Sequence, residues 1–483
     1  MYEDQFNIYR AFTTAEDELY LSYVSTDKEQ KAKRQSILIS RIKKMFKNLK
    51  EESDVVSKND SILTAESTFN QMLSNIKDFK QGKEIDEIWF AVYNWYMQND
   101  EWKPKLKEAI KGFSHKNDAE KITEENIKRL YGNTLKTSVS RLEQYRECPF
   151  SFHLKYGLKL KEREEFVVRP IDTGSFMHEV IDEFFENTRN IKTIEDQEIK
   201  EIVNNIIDEK LSLSKNYIFT STPRFAVLTN ILKKAILQSI TYIVQQMKNS
   251  DFEIAGNEIE FNRKIDNVEI TGKIDRIDTA QNEQGKYIRI IDYKSSDRSI
   301  NLNELEAGTQ IQLLTYLDTA VEKTKNIPVG MLYFNLIDPV IKASRNLTDE
   351  QIQEELKKQF RMSGMVLADV NIIRMMDKNL QTGASSTIPV TLDKNGDIMD
   401  SRSNAITKEQ FTLLQNKVKK IIKQIAKEIL EGNIEIKPTY NKGKKEEACK
   451  YCEYKSICCF NPNVNNYSFI DNKSKKELLD NLQ

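Results

Sequence analysis

The sequence predicts a mixed α/β protein, in which a helical first region precedes a chain of alternating strands and helices. Three observations carry this. Apolar residues recur at helical spacing from residue 60 to about 130 and from 173 to 250. Between about 252 and 294 the texture changes to short runs rich in Ile, Val, Phe and Tyr. Beyond them come a helical pattern over 303–325, a strand-like run Gly330-Met-Leu-Tyr-Phe-Asn-Leu-Ile and a long Lys-rich amphipathic helix over 406–432.

Residues 1 to about 50 read as a helix, a strand and a basic helix. Glu18-Leu-Tyr-Leu-Ser-Tyr-Val24 alternates apolar and polar side chains as a half-buried strand does. Leu38, Ile42, Met45 and Phe46 then fall at helical spacing. Trp89, Phe90, Val92, Tyr93, Trp95 and Tyr96 read as core packing, not as a platform for stacking bases. The turn Tyr131-Gly-Asn-Thr-Leu-Lys-Thr137 ends this pattern and sets a boundary between regions 1–132 and 133–483. Ser140-Arg-Leu-Glu143 has capping-box spacing and starts a short helix. Phe252-Glu-Ile254, Glu258-Ile-Glu-Phe261, Val268-Glu-Ile-Thr271 and Tyr287-Ile-Arg-Ile-Ile291 read as successive strands. Residues 340–405 carry no chemical pattern; Asp393-Lys-Asn-Gly-Asp397 reads as a hairpin turn and not as a calcium loop.

Composition narrows the function classes. At ~150 residues per domain, 483 residues suggest about three domains. With 30% charged residues and a mean hydropathy of −0.60, the chain has a globular composition. It holds no apolar run of 18 residues, and Met1-Tyr-Glu-Asp-Gln-Phe-Asn-Ile-Tyr-Arg10 lacks the basic-then-apolar order of a signal peptide, so a cytoplasmic protein is expected. Lys+Arg 73 against Asp+Glu 74 excludes a globally basic nucleic-acid coat, though not a local basic groove.

The chemistry concentrates at two predicted strand ends. Side chains two apart on a strand share a face, so Asp292 and Lys294 of Ile291-Asp-Tyr-Lys294 point the same way. If Asp275 of Gly272-Lys-Ile-Asp275-Arg-Ile-Asp278 comes from the neighbouring strand, two carboxylates and a lysine converge. A hard divalent cation such as Mg²⁺ relieves the repulsion between two close carboxylates. The lysine then orients or deprotonates a water, or neutralises charge on a phosphate oxygen. Gly174-Ser-Phe-Met-His178 opens a helix and offers one of only three histidines, a usual metal ligand. Gln312 and Tyr316 are four apart on the helix after Lys294 and share a face. Each signal is weak alone; their order is specific.

That order resembles the RecB-like branch of the PD-(D/E)xK nuclease superfamily, with its restriction-endonuclease-like core. The resemblance implies that His178, Asp275 and Asp292 hold Mg²⁺ or Mn²⁺ with the Tyr293 carbonyl, that Lys294 acts on the attacking water, and that Gln312 and Tyr316 position DNA and the catalytic groups.

Of five cysteines, Cys449, Cys452, Cys458 and Cys459 lie within eleven residues, and Cys148 lies about 300 residues upstream. This is a ligand set and not a disulfide framework. Four thiolates suit zinc or an iron–sulfur cluster, and spacing alone leaves both open. The same nuclease branch carries one Cys before the core and Cys-x2-Cys-x5-Cys after it around a [4Fe-4S] cluster. By resemblance that set is Cys148, Cys449, Cys452 and Cys458, with Cys459 left over or competing with Cys458, and the cluster staples the two ends of the nuclease domain.

Two segments resemble more particularly the AddB family of the helicase/deoxyribonucleases. Val139-Ser-Arg-Leu-Glu-Gln-Tyr-Arg-Glu-Cys148-Pro-Phe-Ser-Phe-His-Leu-Lys-Tyr-Gly-Leu158 is similar to its segment bearing the first cluster cysteine. Residues 5–23 are similar to the last motif of UvrD-type helicases, with Thr14 where an active helicase has its arginine. A threonine supplies no cationic finger to a transferring phosphoryl group, and no Gly-x4-Gly-Lys-Ser/Thr loop exists in the chain. No ATPase is therefore expected, and region 1–132 reads as a remnant of an inactive helicase-like domain. AddB chains are far longer, so the sequence is expected to be a fragment, a split gene product or a truncated form matching the C-terminal part of the pattern. The resemblance implies an AddA-type partner supplying the motor, DNA ends and single strands as substrate, cutting of the strand ending 5′, and a role in resecting double-strand breaks for recombination. Two basic stretches fit DNA: Lys28, Lys31, Lys33, Arg34, Arg41, Lys43, Lys44 and Lys47, and Lys442, Lys444, Lys445, Lys450 and Lys455. Two alternatives stay open. A stand-alone nuclease of the CRISPR-adaptation type shares the cysteine and Asp-x-Lys pattern but lacks the degenerate helicase motif. A docking subunit with a dead core need not keep Asp275, Asp292, Lys294 and Gln312.

Overall fold

A computed structural model describes residues 2–25, 33–46, 48–51, 62–80, 83–114, 116–163, 165–339 and 348–480. The chain divides into two compact units, Met1–Ser114 and His115–Gln483. The turn at 131–137 lies inside the second unit, because the helix Glu124–Tyr131 belongs there: the Ile122 N–H donates to the Gly432 carbonyl (3.0 Å).

The first unit is helical, with Tyr2–Thr13, Ile37–Met45, Ala65–Lys80, Ile88–Gln98 and Lys103–Lys111. Met72, Trp89, Tyr96 and Leu106 form its core, and Phe69 and Trp102 stand against the Tyr96 ring at 5.2 and 5.5 Å. Phe90 and Trp95 are 37% and 49% exposed, so only part of the aromatic group is core. The strand expected over 18–24 does not form. Those residues are irregular and exposed, since alternation makes a strand only where a sheet edge takes up the backbone, and the described residues of this unit hold no strand. Lys28, Lys31 and Lys47 lie outside the described residues. The hydroxyls of Thr13 and Thr14 bond back to the Tyr9 and Arg10 carbonyls and close the first helix.

The second unit is built on a seven-stranded mixed sheet. β1 (Leu135–Thr137), β3 (Val268–Asn282), β4 (Gly285–Lys294), β5 (Ile327–Asn335), β6 (Ser363–Leu367) and the short Ala405–Ile406 follow in that order, while β2 (Glu253–Ile265) pairs with β3. The runs at Phe252–Ile254 and Glu258–Phe261 merge into the single strand β2. β2, β3 and β4 are joined by tight turns and run antiparallel. β4 and β5 are parallel, which requires a crossover, and the helices Leu302–Ala307 and Gln312–Thr324 supply it. The pattern expected as one helix over 303–325 is broken at Gly308, whose φ of +85° is left-handed and where a Cβ would strike Ile421 and Arg146.

Helices cover the sheet. Pro170–Asn187 buries Phe176, Met177, Val180, Ile181, Phe184 and Phe185, each contributing roughly 1.5–3 kcal/mol of burial. It begins at Pro170, so Gly174 sits in its second turn and does not open it. Lys408–Leu430 starts with a Thr407–Gln410 capping box and buries Phe411, Leu414, Val418, Ile421, Ile422 and Ile425 at helical spacing. The Asp393 carboxylate accepts the Asn395 and Asp397 N–H groups and makes the expected turn.

Candidate metal centre

β3 and β4 pair from Asn282↔Gly285 up to Arg276↔Ile291 and then part. The Tyr293 N–H, left without a ladder carbonyl, donates to the Asp275 carboxylate at 2.8 Å. Asp275 and Asp292 are the next residues on the two strands beyond that last pair. Asp292 and Lys294 share a face, with Lys294 Nζ 2.6 Å from Asp292 Oδ2. Lys294 Nζ also donates to Gln312 Oε1 (3.1 Å), and Gln312 Nε2 donates to the Tyr316 hydroxyl (3.0 Å). Gln312 and Tyr316 occupy the first two turns of the crossover helix, and the Tyr316 ring meets Phe261 edge-on at 5.4 Å. Gly272 clears that contact, because a Cβ there would lie 2.8 Å from the Phe261 ring.

His178 comes from the helix Pro170–Asn187, and its Nδ1 is 3.6 Å from Asp275 Oδ2. The Tyr293 ring lies edge-on to His178 at 5.9 Å. A fourth group arrives from β2. Asn257 pairs with Arg276 and Ile259 with Ile274, so Glu258 stands opposite Asp275. Its carboxylate lies 3.7 Å from His178 Nδ1 and 2.5 Å from Lys273 Nζ. Ligand atoms of His178, Glu258 and Asp275 all lie within 4.8 Å of one another. The sequence pattern does not single out Glu258. Its one signal is structural: a left-handed φ of +49°, a strained conformation of the kind that clusters at functional sites.

The electrostatics are those of crowded carboxylates. Burial pushes the Asp275 carboxyl up to about 7, and the charge of Asp292 adds to it. Burial raises Asp292 against the opposing pull of Lys294. Burial alone would lower His178, but Glu258, Asp275 and Asp292 outweigh it and the net shift is upward. Asp292 is 1% exposed and its Oδ1 has no hydrogen-bond partner. An orphaned buried carboxylate oxygen beside two further carboxylates and an imidazole is the donor set of a hard divalent cation, and the residues fit one. Asp278 takes no part in it: on the opposite face it is buried between Arg276 (2.6 Å) and Arg289 (2.8 Å).

Cys148, Cys449, Cys452 and Cys458 all line one cavity of about 650 Å³. Burial, with the nearby Cys148, Glu447, Cys452 and Cys458 adding to it, pushes the Cys449 thiol up to about 12. Burial also raises the Cys148 and Cys458 thiols. Four sulfurs facing one cavity, three of them reluctant to ionise unaided, fit a group that supplies positive charge to them. Cys459 is not in the lining; it is exposed, with a left-handed backbone and its Sγ directed to the Ser456 carbonyl. The nearby basic residues are mostly paired: Lys442 with Asp471, Lys444 with Glu304, Lys450 with Glu446.

Glu143 has capping-box spacing in the sequence, and the structure places it elsewhere. The helix Val139–Glu147 is capped by Ser138. Glu143 is buried, and its Oε1 accepts the N–H groups of Ile311 (2.7 Å) and Gln312 (2.9 Å).

Comparison with known proteins follows the same division of the chain. Residues 136–459 match the PD-(D/E)XK nuclease superfamily. Residues 57–112 match the fifth domain of the ATP-dependent helicase/deoxyribonuclease AddB. The chain is 37% identical to the B-type subunit of the ATP-dependent helicase/deoxyribonuclease of Clostridium novyi, over 100% of this chain and 45% of that protein. It is 38% identical to the protein of the same name from Clostridium acetobutylicum, over 99% of this chain and 44% of the relative. It is 36% identical to that of Thermoanaerobacter pseudethanolicus, over 100% and 44%. The chain thus spans less than half the length of the curated relatives it matches. Among the described residues, no helix is long and apolar enough to cross a membrane.

Proposed function

Because the chain belongs to the PD-(D/E)XK nuclease superfamily, we propose that it is the nuclease-bearing part of an AddB-type subunit, a metal-dependent deoxyribonuclease that degrades DNA single strands from their ends. The observation that carries this is the convergence of His178, Asp275, Asp292, Lys294 and Gln312 on one buried-edged site. His178, Asp275 and Asp292 would hold Mg²⁺ or Mn²⁺ with the Tyr293 carbonyl, and Glu258 stands within the same reach. A bound divalent cation supplies Lewis acidity toward a phosphodiester and an acidified water. Lys294, held between Asp292 and Gln312, places its ammonium where charge develops on the phosphate oxygens or where the attacking water is oriented. Tyr316 fixes the Gln312 amide.

The cysteine cavity would hold a [4Fe-4S] cluster on Cys148, Cys449, Cys452 and Cys458, with a structural role. The first unit would belong to an AddB-type helicase-like region without ATPase activity, and the match of residues 57–112 to the AddB fifth domain favours this over a stand-alone CRISPR-adaptation nuclease. An AddA-type helicase–nuclease would be its cytoplasmic partner in resecting double-strand breaks, and this chain would cut the strand that ends 5′.

The test is Mg²⁺-dependent degradation of end-labelled single-stranded DNA without ATP, by anaerobically purified wild type beside Lys294→Ala. Cleavage by wild type alone is the expected result. Equal cleavage by both places the chemistry elsewhere, and no cleavage by folded, brown protein makes the chain a docking subunit or one that needs its partner.

A further inference from the structure

Glu143 is a buried acid for which the nuclease chemistry above has no use. It is 8% exposed, yet its carboxylate is not held by a side-chain base; one oxygen takes both backbone N–H groups that open the helix Gln312–Thr324. Helix starts need such an acceptor, because their first N–H groups have no partner within the helix. Here the residue in the capping position, Ile311, has no side chain that can accept. The cap is delivered instead from a residue 168 positions upstream.

What that helix start carries matters more than the helix itself. Gln312 is its first residue, and the Gln312 amide is the contact that holds Lys294 Nζ from the side away from Asp292. The helix that delivers Glu143 runs from Val139 to Glu147 and ends directly at Cys148, on the wall of the cysteine cavity. It is anchored on its other flank by Arg146–Glu428 (3.2 Å) and by the Tyr145 hydroxyl on the Asn433 carbonyl (3.3 Å). An unbroken path therefore runs from Cys148 through one helix to Glu143, to the backbone N–H of Gln312, and through the Gln312 side-chain Oε1 to Lys294.

We propose that Glu143 is a positioning residue of the nuclease centre: it seats the first turn of the Gln312 helix, and so makes the placement of Lys294 depend on the helix that ends at Cys148. The inference rests on the nuclease reading and adds to it a control on the same site. Loss of the seat lets Gln312 drift, and a displaced lysine slows the chemical step without loosening the DNA.

The experiment compares wild type, Glu143→Ala, Glu143→Gln and Glu143→Asp, purified anaerobically as the full chain, on a short end-labelled single strand with Mg²⁺. Glu143→Ala is expected to lower kcat about 10- to 100-fold, the scale of an ångström-sized misplacement, with KM unchanged and the visible absorbance of the protein retained. Glu143→Gln carries an oxygen at the Oε1 position and restores most of kcat. Glu143→Asp keeps the charge, withdraws the oxygen by one methylene and lowers kcat, which keeps the test decisive if the alanine variant does not fold. Wild-type kcat in Glu143→Asp, or a glutamine variant as slow as the alanine one, overturns the proposal. Amide hydrogen exchange over residues 309–317 reads the seat without catalysis: it quickens in Glu143→Ala and Glu143→Asp but not in Glu143→Gln. If wild type cleaves nothing on its own, the exchange measurement alone decides, and unchanged exchange in Glu143→Ala overturns the seat.

Discussion

His178, Glu258, Asp275 and Asp292 hang on a helix with six buried aromatic or aliphatic side chains and on three strands paired along most of their length. The segment that carries Cys449, Cys452 and Cys458 has no such frame. It consists of the turn Ala448–Tyr451, the four-residue helix Lys455–Cys458 and strands of two or three residues at 439–441, 446–447 and 468–470. A few side-chain bonds pin them, such as the Asn117 amide on the Cys458 carbonyl (2.8 Å) and the Tyr454 hydroxyl on Leu160 (3.0 Å). Elements this short bury little and share few ladder bonds, so they open at low free energy unless a ligand holds them. The first site is organised by the sheet without a ligand; the second would depend on a ligand held by its thiols.

The largest effect separates the two sites by function. Lys294→Ala should lower cleavage about 10²- to 10⁴-fold, as for loss of a group acting on the attacking water, while visible absorbance and cooperative unfolding stay. Loss of the absorbance in Lys294→Ala would break the comparison, since the sheet would then not be holding its own centre.

The next effect separates two adjacent cysteines. Cys458 lines the cavity and Cys459 faces solvent. Cys458→Ser should lose the broad absorbance near ~400 nm expected of thiolate-bound iron and melt at lower temperature, whereas Cys459→Ser keeps both. Protein that is colourless yet still metal-loaded would mean zinc, whose filled d shell gives no visible band.

A smaller effect concerns Glu258. Glu258→Gln should weaken Mg²⁺ affinity about 10- to 100-fold, the usual scale for a group supporting a metal site, read as a rightward shift of the Mg²⁺ titration of activity. An unshifted titration would place Glu258 outside the cation's reach and leave its strained backbone without a purpose.

How much of this was legible in the sequence follows the same division. The pairs Asp292 with Lys294 and Gln312 with Tyr316 were readable because their spacing is short-range: two-residue strand periodicity and four-residue helical periodicity put each pair on a shared face. Asp275 entered only through the order of the motifs along the chain. Glu258 was not, because its role comes from strand register across a hairpin, which no local pattern encodes. The strand expected at 18–24 failed for the complementary reason: alternation was present and a partner edge was not. The choice of Cys458 over Cys459 needed backbone direction at the end of a four-residue helix, where Cys459 turns left-handed and points away. Glu143 sat at capping-box spacing, and that local pattern masked a contact 168 residues away.

That residue gives the last effect, on stability against pH. Burial pushes the Glu143 carboxyl up to about 7, against the pull of Arg298, the Ile311 and Gln312 N–H groups and Lys294. Its value in the unfolded chain is about 4.3. Since the folded value is the higher one, the proton is held more tightly in the native state. The stabilisation this confers is complete below about pH 4 and is lost as pH rises through about 7. A glutamine cannot ionise, so Glu143→Gln should gain on wild type by up to about 3 kcal/mol between pH 5 and pH 8. Denaturant unfolding of both proteins at those two pH values measures it. A difference flat in pH would mean that Arg298 and the two N–H groups keep the carboxylate ionised throughout, and that burial does not move its proton.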